Sequence, residues 1–169
     1  MQYQIDSIDR SILNHLLQDA RTPYLEIARH LKVSNGTIHQ RIDKMKSHNI
    51  IQGSRLQINH EAIGLGVTVL LGIHIHGARM INDVIHALTQ LPEVVEAYYT
   101  SGTYALFIKV HVASIKAYHH FLVVHLQTIE AIRFTESFIC LDQPIHRSLD
   151  LEALHHRTPQ KVVATKDNN

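Results

Sequence analysis

The sequence predicts an α+β fold: an N-terminal three-helix helix-turn-helix domain, winged or plain, joined to a C-terminal ferredoxin-like βαββαβ domain. Three observations predict it. Over residues 1–50 apolar side chains recur at helical spacing in three short runs separated by turn signals. From Val67 the apolar spacing changes to two. Between there and residue 141, runs of the two kinds follow one another as strand, helix, strand, strand, helix, strand.

Asp6 or Ser7 can cap the first helix, whose stripe is Ile8, Ile12, Leu13, Leu16 and Leu17. The segment Asp19-Ala20-Arg21-Thr22 breaks it. Thr22 reads as the cap of a second helix, with Pro23 in its first turn and Glu26 completing an S/T-x-x-E box. Leu25, Ile27, Ala28 and Leu31 are its apolar positions. A tight link, Lys32-Val33, leads to Ser34, which caps a third helix burying Ile38, Ile42 and Met45, with Asn49 as its stop. Two short helices sharing a buried face across such a turn have helix-turn-helix geometry.

Residues 54–59 alternate and read as a strand or a linker. Residues 67–75 form the first clear strand. Residues 78–91 return to helical spacing through Ile81, Val84, Ile85 and Leu88. Residues 94–100 and 104–112 are two strands around a Ser101-Gly102 turn. Ser114 opens a helix with Ile115, Tyr118, Leu122 and Leu126 inward, and residues 133–141 are the last strand. The sheet face away from the helices should hold Phe107, Lys109, His111, Glu96 and His74, too apolar a mixture for water, which points to a homo-oligomer. The expected divisions are residues 1–52 (helix-turn-helix), 53–66 (linker or hinge strand), 67–145 (βαββαβ domain) and 146–169 (C-terminal extension). The end of that extension, from residue 155, reads as a loose polar tail.

The chain has 169 residues, 45% of them hydrophobic and 18% charged, the balance of a folded protein rather than a disordered one. No apolar run is long enough to span a bilayer, and the first residues lack the cationic and apolar segments of a signal peptide, so a cytoplasmic protein is expected. A single cysteine, Cys140, excludes an internal disulfide and fits a reducing compartment. Net charge is only +1, but residues 1–60 carry eight Lys and Arg against five Asp and Glu, and the remainder eight against ten. The first third is the part suited to an anionic partner.

The third helix carries the sharpest chemical signal. Thr37, Gln40, Arg41 and Lys44 fall at i, i+3, i+4 and i+7 opposite the buried stripe, and His39 lies beside them. These residue types read base edges and grip phosphates, while Ser34 and Asn35 bring free N–H groups at the helix start. An isolated helix with this strip would be an ordinary solvated face; after a capped helix and a short turn it is a DNA-reading one. The loop Tyr99-Thr100-Ser101-Gly102-Thr103-Tyr104 offers amides and hydroxyls to a carboxylate, although the residues alone read more simply as a polar hairpin. The fifteen histidines show no metal-ligand spacing and read as scattered surface groups. No nucleophile elbow, glycine-rich phosphate loop or H-E-x-x-H motif is present, so no enzyme, no cofactor and no metal site is expected.

These residues name a family. Ile5-Asp6-x-x-Asp9-Arg10-x-Ile12-Leu13, Ala20-Arg21-Thr22, Val33-Ser34-x-Gly36-Thr37-Ile38-x-x-Arg41-Ile42-x-Lys44-Met45 and Ile50-Ile51-x-Gly53 resemble the DNA-binding half of the Lrp/AsnC feast-or-famine regulators. Glu96-Ala97-Tyr98-Tyr99-Thr100-x-Gly102-x-Tyr104, Phe107-Ile108-Lys109-Val110, Gln127-Thr128-Ile129 and Thr135-Glu136 resemble its asparagine-responsive branch. The resemblance runs from residue 5 to Arg147 and departs from the family at Asn35, where proline is usual, and in the histidine content. It implies a non-enzymatic transcription regulator that binds double-stranded DNA through residues 35–46. It implies self-association as dimers and octamers of four dimers, and a free amino acid, L-asparagine first, as effector. It places that effector between subunits, on Tyr99, Thr100, Ser101, Gly102, Thr103 and Tyr104 and on Gln127 and Thr128. Left open are a regulator of another amino acid or of none, a general DNA-organising protein, and a stand-alone metabolite sensor.

Overall fold

The computed structural model describes residues 3–157, which separate into two compact units, residues 1–56 with 145 onward, and residues 57–144. The first unit begins with α1 (Ser7–Gln18). Asp6 is its cap: the Asp6 carboxylate accepts from the Asp9 amide at 2.8 Å, and the Asp9 carboxylate accepts from the Asp6 amide at 3.2 Å. This reciprocal pair satisfies two of the N–H groups a helix start leaves free. Ile12 is fully buried, whereas Leu17, at the edge of the predicted stripe, is 40% exposed.

Helix α2 (Tyr24–Leu31) starts without the predicted threonine cap. The Thr22 hydroxyl instead donates back to the Asp19 carbonyl at 2.8 Å, within a turn that the Asp19 carboxylate also closes by accepting from the Arg21 amide. Pro23, with no N–H to satisfy, takes the cap position, and its carbonyl accepts from Glu26 and Ile27. Tyr24, Ile27, Ala28 and Leu31 face inward at i, i+3, i+4 and i+7, which leaves Leu25, predicted to be apolar core, half exposed. Lys32 adopts a left-handed conformation (φ 55°), and the Val33 amide reaches back to the Ala28 carbonyl at 3.0 Å. That closure makes the turn tight.

Ser34 then caps α3 (Asn35–Ser47), its Oγ accepting from the Thr37 amide at 3.1 Å. Ile38, Ile42 and Met45 bury against Ile12, Ile27 and Ala28. Asn49, at φ 58°, ends the helix as predicted, with the Ile50 amide donating to the Met45 carbonyl. No strand lies between α3 and Val67 among the described residues, so the three helices carry no β-wing. Residues 54–59 are a linker and not a strand, with Leu56 80% exposed.

The same unit contains an unpredicted element. Residues 151–157 form α6 (Leu151–Arg157), capped by Asp150, whose carboxylate accepts from the Glu152 and Ala153 amides. It lies on α1: the Asn14 side-chain oxygen accepts from the Leu151 amide at 3.0 Å, and the Ser11 hydroxyl donates to Glu152 at 2.6 Å. The polar tail expected from residue 155 falls from residue 158 outside the described residues.

The second unit is a four-stranded antiparallel sheet in the order β2-β3-β1-β4, with β1 Val67–Ile75, β2 Val94–Tyr99, β3 Leu106–Val112 and β4 Ile132–Ile139. Helices α4 (Ile81–Thr89) and α5 (Ile115–Phe121), the latter continued by a π turn over Leu122–Leu126, complete the ferredoxin-like βαββαβ order. Val69, Leu71 and Ile73 of β1 and Leu106, Ile108 and Val110 of β3 form one buried face with Val84, Leu88, Phe121 and Leu126 from the helices. Ser114 caps α5 through the Ala117 amide, while Ile115, predicted inward, is 52% exposed because it sits in the first turn. Strand β4 stops short of Leu141, which is almost wholly exposed.

Register fixes the opposite face. Thr68 pairs with His111, Leu70 with Lys109 and Phe138, Gly72 with Phe107 and Glu136, and His74 with Phe134. Lys109 stands opposite Glu96, its ammonium 3.4 Å from the carboxylate. The Tyr98 hydroxyl, with that ammonium, holds the Glu96 carboxyl below the usual carboxylate range. Tyr104 lies over Gly72, where any Cβ would come within 2.5 Å of its ring. Its hydroxyl donates to Glu136. His111 is buried under His60, the rings stacked 4.0 Å apart, and burial, helped by His60, pushes the His111 imidazole down.

Candidate functional site

Two surfaces carry the chemistry singled out in the sequence, one in each unit. On α3, Asn35, His39, Gln40 and Lys44 are exposed, and Thr37 is partly so. Ser34 and Thr37 share a hydroxyl–hydroxyl hydrogen bond of 2.8 Å, which sets the first turn of the helix. The His39 ring packs edge-on to Tyr24 at 4.8 Å, and the Lys44 ammonium stands 5.2 Å over the Tyr3 ring, on the order of the distance at which a cation gains from a π face. Both positively ionisable groups keep access to solvent while their stems are braced.

Arg41 departs from the strip. One guanidinium nitrogen donates to Asp6 at 2.7 Å and to Asp9 at 2.8 Å, and the Asp9 side chain is 1% exposed. Asp9 also accepts from the Tyr3 hydroxyl at 2.8 Å. Burial and that hydrogen bond push the Tyr3 phenol up to about 12. Arg41 therefore fastens the third helix to the start of the first, and Gln40 is left as the freest base-reading side chain of the strip. The spacing of Arg41 along α3 placed it correctly on the helix surface. What periodicity could not show is that Asp6 and Asp9, used together at the α1 cap, would come round to meet it.

In the sheet unit, the β2–β3 connection is longer than the predicted two-residue turn. The strands stop at Tyr99 and resume at Leu106, and the Thr100 amide closes the loop onto the Ala105 carbonyl at 3.0 Å. Tyr99, Thr100, Ser101, Gly102 and Thr103 line a cavity of about 340 Å³. His74 and Ile75 of β1, with Ala78 and Ala105, complete its wall. These four were not found from the sequence; β-alternation put His74 on this face of the sheet but not beside the loop. Tyr104 does not line the cavity: its ring is drawn over Gly72, against His74 and Phe107.

Gly102 is not in the left-handed region, and a Cβ there would meet nothing within 4 Å. The turn does not demand glycine. Gln127 and Thr128 follow the π turn and do not line this cavity within one chain. Gln127 is exposed, and the Thr128 hydroxyl donates to the His125 carbonyl at 2.8 Å. Among the described residues no three His, Cys, Asp or Glu side chains gather as metal ligands do, and no helix is long and apolar enough to cross a membrane.

Comparison with known proteins matches both parts of the chain to known domains. Residues 5–46 match the AsnC-type helix-turn-helix domain, and residues 67–150 match the Lrp/AsnC ligand binding domain. Regulatory protein AsnC of Escherichia coli K12 is 44% identical over 147 residues, covering 87% of this chain and 97% of the relative. The corresponding Haemophilus influenzae protein is 42% identical over the same length. The solved structure of E. coli AsnC superposes with a TM-score of 0.83 over 88% of this chain and 99% of that one. A feast or famine regulatory protein from M. tuberculosis complexed with L-methionine, 26% identical, superposes with a TM-score of 0.78 over 85% of this chain and 96% of that one. An AsnC-type helix-turn-helix with its buried stripe on α3, joined in one chain to an Lrp/AsnC ligand-binding sheet domain, makes this protein a member of the Lrp/AsnC family of DNA-binding transcriptional regulators.

Proposed function

We propose that this regulator binds specific DNA sites through α3 and that a free amino acid, L-asparagine first, sets that binding from the cavity beside residues 99–103. The observation that carries the reading is the cavity itself. It is large enough for a small zwitterion and lined by hydroxyls and backbone, Gly102 among them. The 44% identity to E. coli AsnC supports asparagine. The methionine held by the M. tuberculosis relative makes methionine the second reading.

The effector's carboxylate rests on the backbone N–H groups around Ser101 and Gly102. Its side-chain amide meets Gln127, beside Thr128, from another copy of the chain. An amide is both donor and acceptor, and a glutamine side chain complements each. Leucine would leave that amide unpaired, a loss of about 1–3 kcal/mol, or tenfold or more in affinity. The copies meet through the open sheet face, where Leu70, Tyr98, Phe134 and Phe138 are exposed and Phe107 half-buried in one chain, and the dimers assemble in fours. Residues 1–52 read DNA, 53–66 act as the hinge, 67–145 sense the amino acid and 146–169 extend beyond them. The protein is a regulator and not an enzyme, needs no cofactor, and acts in the cytoplasm on genes of amino-acid metabolism.

On DNA, Gln40 reads a base while Ser34, Asn35, Thr37, His39 and Lys44 hold backbone. Gln40→Ala is expected to reduce discrimination among sites by about 1–3 kcal/mol. Lys44→Ala is expected to weaken all sequences alike and to lower the salt slope by about one. Fluorescence anisotropy against selected and random duplexes at several salt concentrations checks both, and parent-like binding by both variants contradicts the assignment of α3. Calorimetric titration with asparagine, aspartate, glutamine, leucine and methionine tests the effector. Asparagine is expected to bind tightest, and Gln127→Leu to lose that preference.

A further inference from the structure

The wall of the cavity contains hydroxyls, backbone and small apolar groups, and a single nitrogen-bearing side chain, His74. Its ring is held by packing. It stacks on Phe134 at 3.8 Å with the planes 22° apart, and Tyr104 meets it edge-on at 4.9 Å. The Tyr104 ring is in turn fixed by Gly72 beneath it and by its hydroxyl bond to Glu136. Neither His74 ring nitrogen has a hydrogen-bond partner among the described residues. An oriented, half-buried imidazole without a protein partner, on the wall of a cavity, can turn a ring N–H to a ligand bound there.

The other polar groups lining the cavity do not replace it. The Thr100 hydroxyl proton is committed to the Tyr104 carbonyl, so Thr100 offers a ligand only an acceptor. Tyr99, Ser101 and Thr103 bring hydroxyl donors, but all three are exposed and no packing of their side chains comparable to that of His74 holds them. No Lys or Arg lines the wall.

We propose that His74 is an effector-contacting residue, donating a ring N–H to the α-carboxylate of the bound amino acid and selecting ligands whose carboxylate is free. The proposal rests on reading this cavity as the amino-acid site. It adds a specificity-determining side chain from β1 to a site otherwise built from the β2–β3 loop. It also accounts for why a histidine stands at a strand position whose ring contacts are all aromatic: phenylalanine would serve the stacking alone.

Calorimetric titration of the full chain with L-asparagine and with its α-amide, in which the carboxylate is capped, tests this in the parent, His74→Phe, His74→Gln and Gly102→Phe. His74→Phe keeps the stacking and is expected to bind asparagine about tenfold more weakly, the scale of one hydrogen bond to a charged group. On the α-amide, whose carbonyl oxygen is only a neutral acceptor, it should lose clearly less. His74→Gln, which restores an N–H donor, should recover most of the asparagine affinity. Parent-like asparagine binding by His74→Phe, or equal losses for the two ligands, overturns the assignment. Gly102→Phe separates the two levels. If it loses asparagine while His74→Phe does not, the cavity stands and His74 falls; if both bind like the parent, the cavity reading falls as well. A parent that binds no asparagine overturns both.

Discussion

Arg41→Met is expected to lower the stability of the helix-turn-helix unit by about 3 kcal/mol, the largest effect of any single change on α3 that leaves its buried stripe intact. The reason is the carboxylate it strands. Asp9 is 1% exposed and would keep only the Tyr3 hydroxyl and the Asp6 amide as partners. Breaking a buried pair leaves an uncompensated charge at about 3–5 kcal/mol, and the lower end applies because the Arg41 side chain is 26% exposed. In a unit of this size that shifts the melting temperature by roughly 10–25 °C.

The pH dependence follows from Asp6. Burial works against its charge, but the hydrogen bonds from the Asp9 amide and Arg41 outweigh it and hold the carboxyl below its ordinary 3.8. A depressed acid stabilises the fold fully above its unfolded value and loses that contribution as pH falls through the folded one. The parent should therefore weaken as pH drops below about 3.8, and Arg41→Met should show a shallower acid limb in its melting curves. DNA titration of Arg41→Met under folding conditions supplies the complementary readout. A salt slope equal to the parent's fits a residue that positions the helix; a slope reduced by about one would place Arg41 on a phosphate instead.

Gly102→Phe is expected to abolish effector binding by more than about tenfold while leaving the melting temperature of the sheet unit unchanged. Conformation permits it, since the backbone there is not left-handed and a Cβ meets nothing within 4 Å. The added ring, on a residue that lines the cavity, is expected to crowd the backbone N–H groups that the carboxylate needs. A variant that melts early would show the glycine to be structural; one that binds asparagine normally would move the ligand elsewhere. Calorimetry with a thermal melt on the same sample distinguishes the cases.

Much of this architecture was legible in the residues. Ser34, Ile38, Ile42, Met45 and Asn49 mark the third helix from cap to stop because each acts locally, through one helical turn. The order of strands and helices in the second unit follows from a period that changes at Val67. What the sequence hid is set by contacts between distant residues. Asp6 and Asp9 look like an ordinary cap until Arg41, 32 residues beyond Asp9, closes on them. Thr22 has the spacing of a capping box, yet the Asp19 turn captures its hydroxyl first. Helix α6 is only seven residues long and owes its place to Asn14 and Ser11 on α1, which no local pattern announces. His74 was placed on the correct face, but its position beside the loop depends on the register of β1 with both neighbours.

The central claim is that an amino acid in the cavity and DNA on α3 are energetically coupled. The most direct test is DNA affinity of the parent at one fixed salt concentration, on duplexes it selects from a random pool, with and without saturating L-asparagine. The account predicts a shift of about 5–150-fold, corresponding to a coupling of 1–3 kcal/mol, with DNA altering asparagine affinity by the same factor. Equal DNA affinity in both conditions, with asparagine shown to be bound, would contradict it.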